Sequence, residues 1–195
     1  GGIWVHTPNH ISRVQPQHHL KEYSYKNNLP SSIDSICVHK GIIYVGTENG
    51  LYTLSSKERN FNQFIPGQRQ QIKVCTLQDW LLYNTSQGIT AIHDSRIINI
   101  PTNNAVLAIC PSKKYKNTFY CIGENSISAY SFIENNWRQT LYEKIPKGYY
   151  SYILEGKDNN IWIGPSFGKI IQIEKFDDGS SNVKTPILDL FKDTQ

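Results

Sequence analysis

The chain has 195 residues, of which 38% are hydrophobic and 12% aromatic, and its formal net charge at pH 7 is +4. Its 20 Lys and Arg residues are scattered, which argues against a nucleic-acid or membrane-surface partner. No apolar run approaches the roughly 18 residues of a membrane span, and no secretory leader opens the chain, so direct membrane insertion is not expected. Because the sequence contains no Met, we expect a processed or excised piece of a longer protein.

The residue composition predicts an all-β fold. Aromatic and β-branched residues recur in short runs, and these side chains suit a pleated, half-buried surface. Gly, Pro and Asn separate the runs, and no stretch keeps the apolar spacing of an amphipathic helix for three turns.

A sequence pattern of about 40 residues recurs five times. The copies are IWVHTPNHISRV (3–14), IYVGTENGLYTL (43–54), LYNTSQGITAI (82–92), YCIGENSISAY (120–130) and IWIGPSFGKIIQI (161–173). The residues that follow the apolar triplet are His6, Gly46, Asn84, Gly123 and Gly164. The repeat units are predicted at roughly 1–30, 31–66, 67–103, 104–146 and 147–195.

The second repeat shows the internal plan of a unit. Strands are predicted at 32–39, 42–47, 50–55 and 61–65. Lys40 and Gly41 form the first turn, and residues 48–50 form the second, where Asn and Gly accept the positive φ of a tight hairpin. Four antiparallel strands per unit are typical of a blade, which predicts a β-propeller of about five four-stranded blades.

The two ends of the chain are in phase with the repeat. Residues 187–195 (ILDLFKDTQ) match residues 151–159 (SYILEGKDN), so the last strand could complete the blade that residues 1–30 begin. Such closure would remove open sheet edges. The other explanation is a segment of a larger propeller, which the missing Met slightly favours. The chain is therefore predicted to be one propeller domain or a propeller fragment.

Two patterns that could suggest metals or disulfides receive simpler interpretations. The turn at 157–160 (KDNN) lacks the further carboxylates of a calcium loop and is predicted to be a hairpin. The four cysteines have no zinc-ligand spacing, so we expect small buried hydrophobes, with a disulfide left open. These are Cys37, Cys75, Cys110 and Cys121. No metal or cofactor is predicted.

The stretch EYSYKNNLPSSIDSICVHKGIIYVGTENGLYTL (22–54) resembles the regulator propeller repeat of bacterial hybrid two-component sensors. ILEGKDNNIWIG near the C-terminus is similar to the same pattern, whereas residues 70–146 keep only its period. Asn28, Pro165 and His6 stand where the family usually has Gly, Thr and Gly. These departures affect individual turns and not a catalytic position.

The resemblance implies an extracytoplasmic, ligand-reading segment of a two-component sensor. Such a segment lies in the periplasm as part of an inner-membrane protein, with a histidine kinase elsewhere in that parent. The implied partners are the remaining propeller and β-sandwich domains of the parent, an oligosaccharide ligand, and a second copy if the parent forms a homodimer.

Aromatic residues are the main candidates for ligand contact, because no catalytic motif is recognisable. Trp4, Tyr44 and Trp162 occupy equivalent repeat positions and are predicted to pack in the core. Partly exposed rings off the repeat suit sugar faces. The ligand-binding candidates are Trp80, Trp137, Tyr149 and Tyr150, together with the adjacent pair His18 and His19. For that pair a solvent-exposed loop is the alternative.

Three functions are compatible with the sequence. The leading hypothesis is a non-catalytic sensor module that binds an oligosaccharide or a similar small ligand. The second is a propeller lyase or glycosidase, which requires two or more acids to converge at the mouth of the channel. The acids in question are Asp34, Glu48, Glu124, Asp158 and Asp193. The third is a scaffold for protein partners, marked by a broad exposed apolar patch.

Overall fold

The computed structural model describes residues 3–7, 10–15, 18–30, 32–55, 57, 59–67, 71–165, 169–175 and 181–184. The chain divides into a first unit, Gly1–Pro101, and a second unit, Thr102–Gln195. Strands dominate both units. Among the described residues the one helix is a single 3-10 turn at Tyr25–Asn27, and no helix in these ranges is long and apolar enough to cross a membrane.

The first unit holds three antiparallel sheets in its described residues. Sheet 1 contains β1 (Ile3–Thr7), β2 (His10–Gln15) and β3 (His18–Tyr23). Sheet 2 contains β4 (Ile33–His39), β5 (Ile42–Thr47), β6 (Gly50–Leu54) and β7 (Asn62–Pro66). Sheet 3 contains β8 (Val74–Leu77), β9 (Trp80–Thr85), β10 (Gly88–His93) and β11 (Arg96–Pro101).

The second unit holds two antiparallel sheets in its described residues. Sheet 4 contains β12 (Ala108–Pro111), β13 (Thr118–Ile122), β14 (Ser126–Ile133) and β15 (Asn136–Lys144). Sheet 5 contains β16 (Tyr150–Glu155), β17 (Ile161–Pro165), β18 (Ile171–Lys175) and β19 (Ser181–Lys184).

The predicted all-β propeller fold is confirmed. Each sheet is a meander in which every strand pairs with the next along the chain, and each lies within one predicted repeat unit. In sheet 2 the predicted strand bounds agree with the observed ones to within a residue. Sheet 1 has three described strands. The strand predicted at 187–195 lies outside the described residues, so its role in completing this blade stays a prediction.

Burial follows strand order within each blade. The second strands β5, β9 and β13 are buried along almost their whole length, whereas the fourth strands β7 and β11 are mostly exposed. A second strand has neighbours on both edges and packs on both faces, so its residues form a nearly continuous apolar run. A fourth strand is an edge, and polar residues there discourage pairing with other chains.

Buried side chains from neighbouring sheets form the cores. In the first unit, Leu29, Val45 and Phe61 belong to a cluster between sheets 1 and 2, and Leu51 and Leu81 belong to one between sheets 2 and 3. In the second unit a single cluster joins sheets 4 and 5. Full burial of one such aliphatic side chain stabilises the fold by about 1.5–3 kcal/mol. Tyr44 is buried as predicted, whereas Trp4 and Trp162 are only half-buried.

The Gly-Thr pair of the second repeat has a physical explanation. A Cβ on Gly46 would lie 2.0 Å from the carbonyl oxygen of Ile72, so only glycine allows the segment leading into sheet 3 to approach β5. Thr47 Oγ1 accepts a hydrogen bond from Asn49 N at 3.1 Å and donates one to Gly50 O at 2.9 Å. The hydroxyl thereby closes the β5–β6 turn.

Of the residues predicted to take positive φ in the β5–β6 turn, Gly50 does so and Asn49 does not. In the β5–β6 turn only Gly50 has a positive φ, at 133°, because the Thr47 hydroxyl shapes the turn instead. In the β4–β5 turn Lys40 and Gly41 both have positive φ, at 48° and 77°. Two positive values in a two-residue loop match the right-handed twist of the flanking strands.

Candidate functional site

A cavity of about 480 Å³, named here the first cavity, opens between sheets 1 and 2 of the first unit. Its described lining combines aromatic, apolar, polar and charged side chains. The aromatic and apolar ones are Trp4, Tyr23, Ile43 and Leu54, and the cationic ones are Arg13, Lys21 and Arg59. Asn27, Ser55 and Glu22 complete the lining. Both the volume and the mixed lining are typical of a small-ligand site.

Strand register brings three of the lining residues into one row. Trp4 on β1 pairs with Arg13 on β2, and Arg13 pairs with Lys21 on β3. Residues directly opposite each other in neighbouring antiparallel strands present side chains on the same face of the sheet. The row therefore places an aromatic ring and two cations side by side.

The aromatic part of the first cavity is held by ring contacts. Trp4 and Tyr23 are stacked, with ring centroids 5.8 Å apart and an interplanar angle of 27°. The ring of Tyr23 meets the buried ring of Phe61 edge-on, also at 5.8 Å. Offset-stacked and edge-on pairs are the favourable arrangements of aromatic quadrupoles, so the Trp4 and Tyr23 rings are fixed before any ligand arrives.

Arg13 is the most unusual residue of the cavity. Its guanidinium carbon lies 5.5 Å from the centroid of the Trp4 ring, within the range of a cation–π interaction. Its Nε is buried, and among the described residues no acceptor lies within hydrogen-bond distance of that atom. A buried N–H without an acceptor is costly. Because this atom has no contact with solvent, a ligand in the cavity does not reach it unless the Arg13 side chain moves.

The 3-10 turn anchors the opposite wall. Asn27 Nδ2 donates a hydrogen bond to the Arg59 carbonyl oxygen at 3.2 Å, and Asn27 O accepts one from Phe61 N at 2.8 Å. Ser24 caps the turn with its side chain, and the Asn27 side chain in return accepts from Ser24 N. The backbone that carries Arg59 is thus tied to a defined turn.

A second cavity, of about 350 Å³, lies in the second unit. Its described lining includes Pro146, Lys147, Tyr150 and Lys169. The Tyr150 hydroxyl donates a hydrogen bond to Pro146 O. Tyr149, the neighbour of Tyr150, is 80% exposed, as the sequence predicted for a loop aromatic. Tyr150 lines this cavity, and Tyr149 is not among its described lining residues.

Three of the predicted ligand-binding aromatics occupy different surroundings from those expected. Trp80, Trp137 and Tyr150 lie in strands and are only 6%, 8% and 6% exposed, so their placement as partly exposed loop rings was wrong. Trp80 and Trp137 each follow a turn closely and pack against rings of their own sheets. Trp80 contacts the His93 ring at 5.0 Å, and Trp137 meets the Phe119 ring edge-on at 5.2 Å. Ligand contact by these residues stays a prediction.

The histidine pair begins a strand. His18 and His19 are the first residues of β3, whose backbone continues to the cavity residue Tyr23, so the loop alternative was wrong. Their side chains lie outside what the structure describes. Contact between this pair and a ligand stays a prediction.

The five acids named by the enzyme hypothesis occupy separate places where they are described. Asp34 on β4 lies 3.8 Å from Lys73 Nζ, and its Oδ2 is buried without a partner among the described residues. Burial raises the pKa of Asp34, and Lys73 partly opposes this shift. Glu48 is exposed in the β5–β6 turn. Asp193 lies outside the described residues.

In the second unit, Glu124 lies in the β13–β14 turn of sheet 4, near the start of β16, and Asp158 lies beyond the end of β16. Gly148 N, just before β16, donates to Glu124 O at 2.8 Å, whereas Asp158 follows the end of β16. Asp158 accepts from Asn160 N at 3.3 Å and closes the hairpin predicted at 157–160. Six strand residues, or about 20 Å, separate these ends, so the two acids do not form a pair.

The prediction of buried cysteines holds for Cys121, whereas Cys37, Cys75 and Cys110 are half-buried. All four are free, and Cys37, Cys75 and Cys110 lie in the first strands of successive sheets. Burial raises the pKa of Cys37 to about 11 and that of Cys121 to about 12. Both side chains are therefore thiols at neutral pH, which makes them poor nucleophiles.

Sequence reasoning missed the residues that form the first cavity. Trp4 was assigned to the core, and Arg13 and Tyr23 were not singled out. The available signal was the register: in the hairpin of residues 3–14, Trp4 and Arg13 are equidistant from the turn and must face the same side. Nothing in the sequence showed that Arg13 Nε lacks an acceptor.

Comparisons with known proteins establish the fold. No protein-family model and no curated protein matches the chain. The extracellular domain of the putative hybrid two-component system BT4673 from B. thetaiotaomicron is 18% identical, with a TM-score of 0.70 over 95% of this chain. The N-terminal domain of Nup159 is 12% identical, with a TM-score of 0.61 over 94% of this chain and 57% of that one.

The computationally designed protein Ika8 is 11% identical to the chain, with a TM-score of 0.57 over 87% of this chain and 56% of that one. The chain spans only 26% of the length of the BT4673 extracellular domain. These similarities, to natural and designed proteins alike, show that the chain has the β-propeller fold, and they leave its ligand open.

Proposed function

We propose that this chain is a ligand-recognition segment of an extracytoplasmic sensor of the two-component type, and that the first cavity binds an oligosaccharide. The observation that carries the proposal is the first cavity itself, with fixed Trp4 and Tyr23 rings beside cationic side chains. Preformed aromatic surfaces next to a few directed polar groups are suited to a sugar.

The structural similarity to BT4673 supports the sensor context. That protein is described as a putative hybrid two-component system, and its matched part is an extracellular domain. Together with the regulator propeller pattern at 22–54, this favours a place in the periplasm, next to the remaining propeller and β-sandwich domains of the parent. The histidine kinase then belongs to another part of the parent.

Binding without chemistry fits the first cavity better than catalysis does. Glycoside hydrolysis uses two carboxyl groups that flank the scissile bond. Among the described lining residues of the first cavity, Glu22 is the one acid. A signal from such a site arises when the ligand binds one state of the receptor more tightly than another.

The test is calorimetric titration of the chain with a panel of neutral and acidic oligosaccharides, followed by mass spectrometry of the recovered sugar. We expect saturable binding of at least one oligosaccharide and recovery of that sugar intact. Cleavage of the sugar, or silence across the whole panel, would contradict the proposed function.

Two variants locate the binding site. Trp4→Leu removes a stacked ring of the first cavity, and we expect at least tenfold weaker binding. Tyr149→Ser removes an exposed ring of the second unit and serves as the matched control, with affinity unchanged. Circular dichroism establishes that each variant is folded. Equal losses in the two variants, or a loss in Tyr149→Ser alone, would move the site away from the first cavity.

A further inference from the structure

We infer that the first cavity selects an anionic oligosaccharide, one that carries a carboxylate or a sulfate group, and this inference rests on the proposed function. The class of ligand follows from the charges of the lining and from the Arg13 guanidinium that lies against Trp4. Neither feature is needed to bind a neutral sugar.

The described lining is predominantly cationic. Arg13, Lys21 and Arg59 contribute three positive charges, whereas Glu22 contributes one negative charge. The two cations on sheet 1 are cross-strand neighbours, and like charges placed opposite each other destabilise a sheet. An anion between them removes this repulsion, so the charges of the lining favour a negatively charged ligand.

The guanidinium of Arg13 gives the anion a specific place, because Arg13 lines the cavity and its guanidinium lies against the Trp4 ring. The guanidinium has a rigid fork of N–H donors that matches the two oxygens of a carboxylate or sulfate. A charged oxygen makes a stronger hydrogen bond with such a fork than a neutral oxygen does.

The Trp4 ring restricts how the guanidinium can turn. With the guanidinium carbon 5.5 Å from the ring centroid, the charged group is held against the indole. A donor fork that is already oriented loses less conformational entropy on binding. Arg13 therefore acts as the specific anchor, whereas Lys21 and Arg59 are exposed and contribute mainly a long-range, salt-sensitive field.

The apolar part of the lining indicates a saccharide rather than a bare inorganic anion. Trp4, Tyr23, Ile43 and Leu54 provide a surface that sulfate alone cannot use. The C–H faces of a sugar ring can pack on it while a substituent of the ring reaches Arg13. A ligand that satisfies both parts of the cavity is an acidic sugar.

The first arm of the test compares three probes by calorimetry: trigalacturonate, its fully methyl-esterified form and inorganic sulfate. The ester keeps the sugar rings and removes the charge. We expect trigalacturonate to bind at least tenfold more tightly than the ester and than sulfate, with an affinity that falls as NaCl rises. Sulfate binding as tightly as trigalacturonate would show a simple anion site and overturn the inference.

The second arm uses charge-removing variants that keep the length of the side chain. Arg13→Met is expected to weaken trigalacturonate binding about tenfold or more, and Arg59→Met less strongly. Lys147→Met, which removes an exposed cation of the second cavity, is the control and is expected to bind as the unmodified chain does. If Arg13→Met does not fold, Arg59→Met and the ester comparison still decide the question.

The two proposals fail in distinguishable ways. If the ester and other neutral oligosaccharides bind as tightly as trigalacturonate, and Arg13→Met binds normally, the anionic inference is wrong while the recognition function stands. If no oligosaccharide binds at any ionic strength, both are wrong.

Discussion

The two units connect the first strands of neighbouring sheets by different chemistry. In the first unit, Ser35 Oγ on β4 donates to Ile72 O at 2.7 Å and accepts from Val74 N at 2.9 Å, which links sheets 2 and 3. In the second unit, the Glu155 carboxylate at the end of β16 accepts hydrogen bonds from the segment between β12 and β13, which links sheets 4 and 5.

The Glu155 carboxylate is almost completely buried, with 1% of the residue exposed, and is surrounded by donors. Ser112 Oγ donates at 3.0 Å, Tyr120 Oη at 3.2 Å and Lys114 N at 3.3 Å, and Lys113 N donates to Oε2 as well. Burial raises the pKa of Tyr120, so its hydroxyl stays protonated and keeps donating.

The two links differ because a hydroxyl and a carboxylate can pair with different hydrogen-bonding groups. A hydroxyl donates and accepts, so Ser35 meets one carbonyl and one N–H without any net charge. A carboxylate only accepts, and its burial is tolerable only when donors surround it. Asp34, beside Ser35, is a carboxylate whose Oδ2 is buried without a partner among the described residues, and we expect it to weaken the first unit.

The largest expected effect comes from Glu155→Ala. The change leaves several buried donors without an acceptor, and we expect a loss of roughly 3 kcal/mol in the free energy of unfolding. Urea denaturation measures the loss. Glu124→Ala removes an exposed acid of the same unit and is the control, with little change in stability. Comparable losses in both variants would show that the Glu155 carboxylate does not specifically stabilise the link between sheets 4 and 5.

Ser35→Ala tests the uncharged link between sheets 2 and 3. It leaves Ile72 O and Val74 N without their shared partner, and we expect a loss of about 1–2 kcal/mol, smaller than that of Glu155→Ala. Thr76→Val is the matched control, because the Thr76 hydroxyl makes one exposed bond, to Val38 O at 3.1 Å. A loss for Ser35→Ala as large as that for Glu155→Ala would show that the charge of Glu155 adds nothing to the stability of the link between sheets 4 and 5.

Asp34→Asn should stabilise the protein, by up to about 1 kcal/mol at pH 7. Burial raises the folded-state pKa of Asp34, so the folded state binds this proton more tightly than the unfolded state. The protonated Asp34 carboxyl therefore contributes stability at low pH. This stability is lost as pH rises from the ordinary carboxyl pKa through the raised pKa of the folded state. The urea midpoints of Asp34→Asn and of the unmodified chain should differ at pH 7 and converge at pH 4. A destabilised variant at pH 7 would mean that the Lys73 ion pair outweighs the burial.

The smallest effect concerns His39, at the other end of β4. Burial lowers the pKa of His39, so the unfolded state binds this proton more readily, and stability is lost as pH falls below the ordinary histidine pKa of about 6.5. His39→Phe should flatten the dependence of the thermal midpoint on pH between about 7 and 5. An unchanged slope would show that His39 does not titrate on unfolding.

Much of the fold was predictable because its signals are local. The period, the turns and Thr47 each depend on contacts within one or two hairpins. Asn84 stands at the repeat position that Gly46 occupies in the second repeat. Its Oδ1 accepts a hydrogen bond from Lys73 N at 2.7 Å, and its Nδ2 donates one to Gln71 O at 3.0 Å. At this position a side chain therefore binds the neighbouring segment, whereas at Gly46 the two backbones approach each other closely.

The candidate site was not predictable to the same extent, because it depends on how two sheets meet. Trp4 and Arg13 can be placed on one face from the hairpin alone, but Arg59 joins them through a contact of its backbone with Asn27. Trp80 and Trp137 follow turns and therefore looked like loop residues. The sequence does not show that the first ring after a turn folds inward.

Ligand recognition by the first cavity is tested most directly by amide and indole NMR during titration with an oligosaccharide that binds. The account predicts that the largest shift changes occur at Trp4, Arg13, Tyr23 and Asn27, while signals of Lys147, Tyr149 and Tyr150 stay in place. Changes confined to the second group, with the first group unmoved, would contradict it.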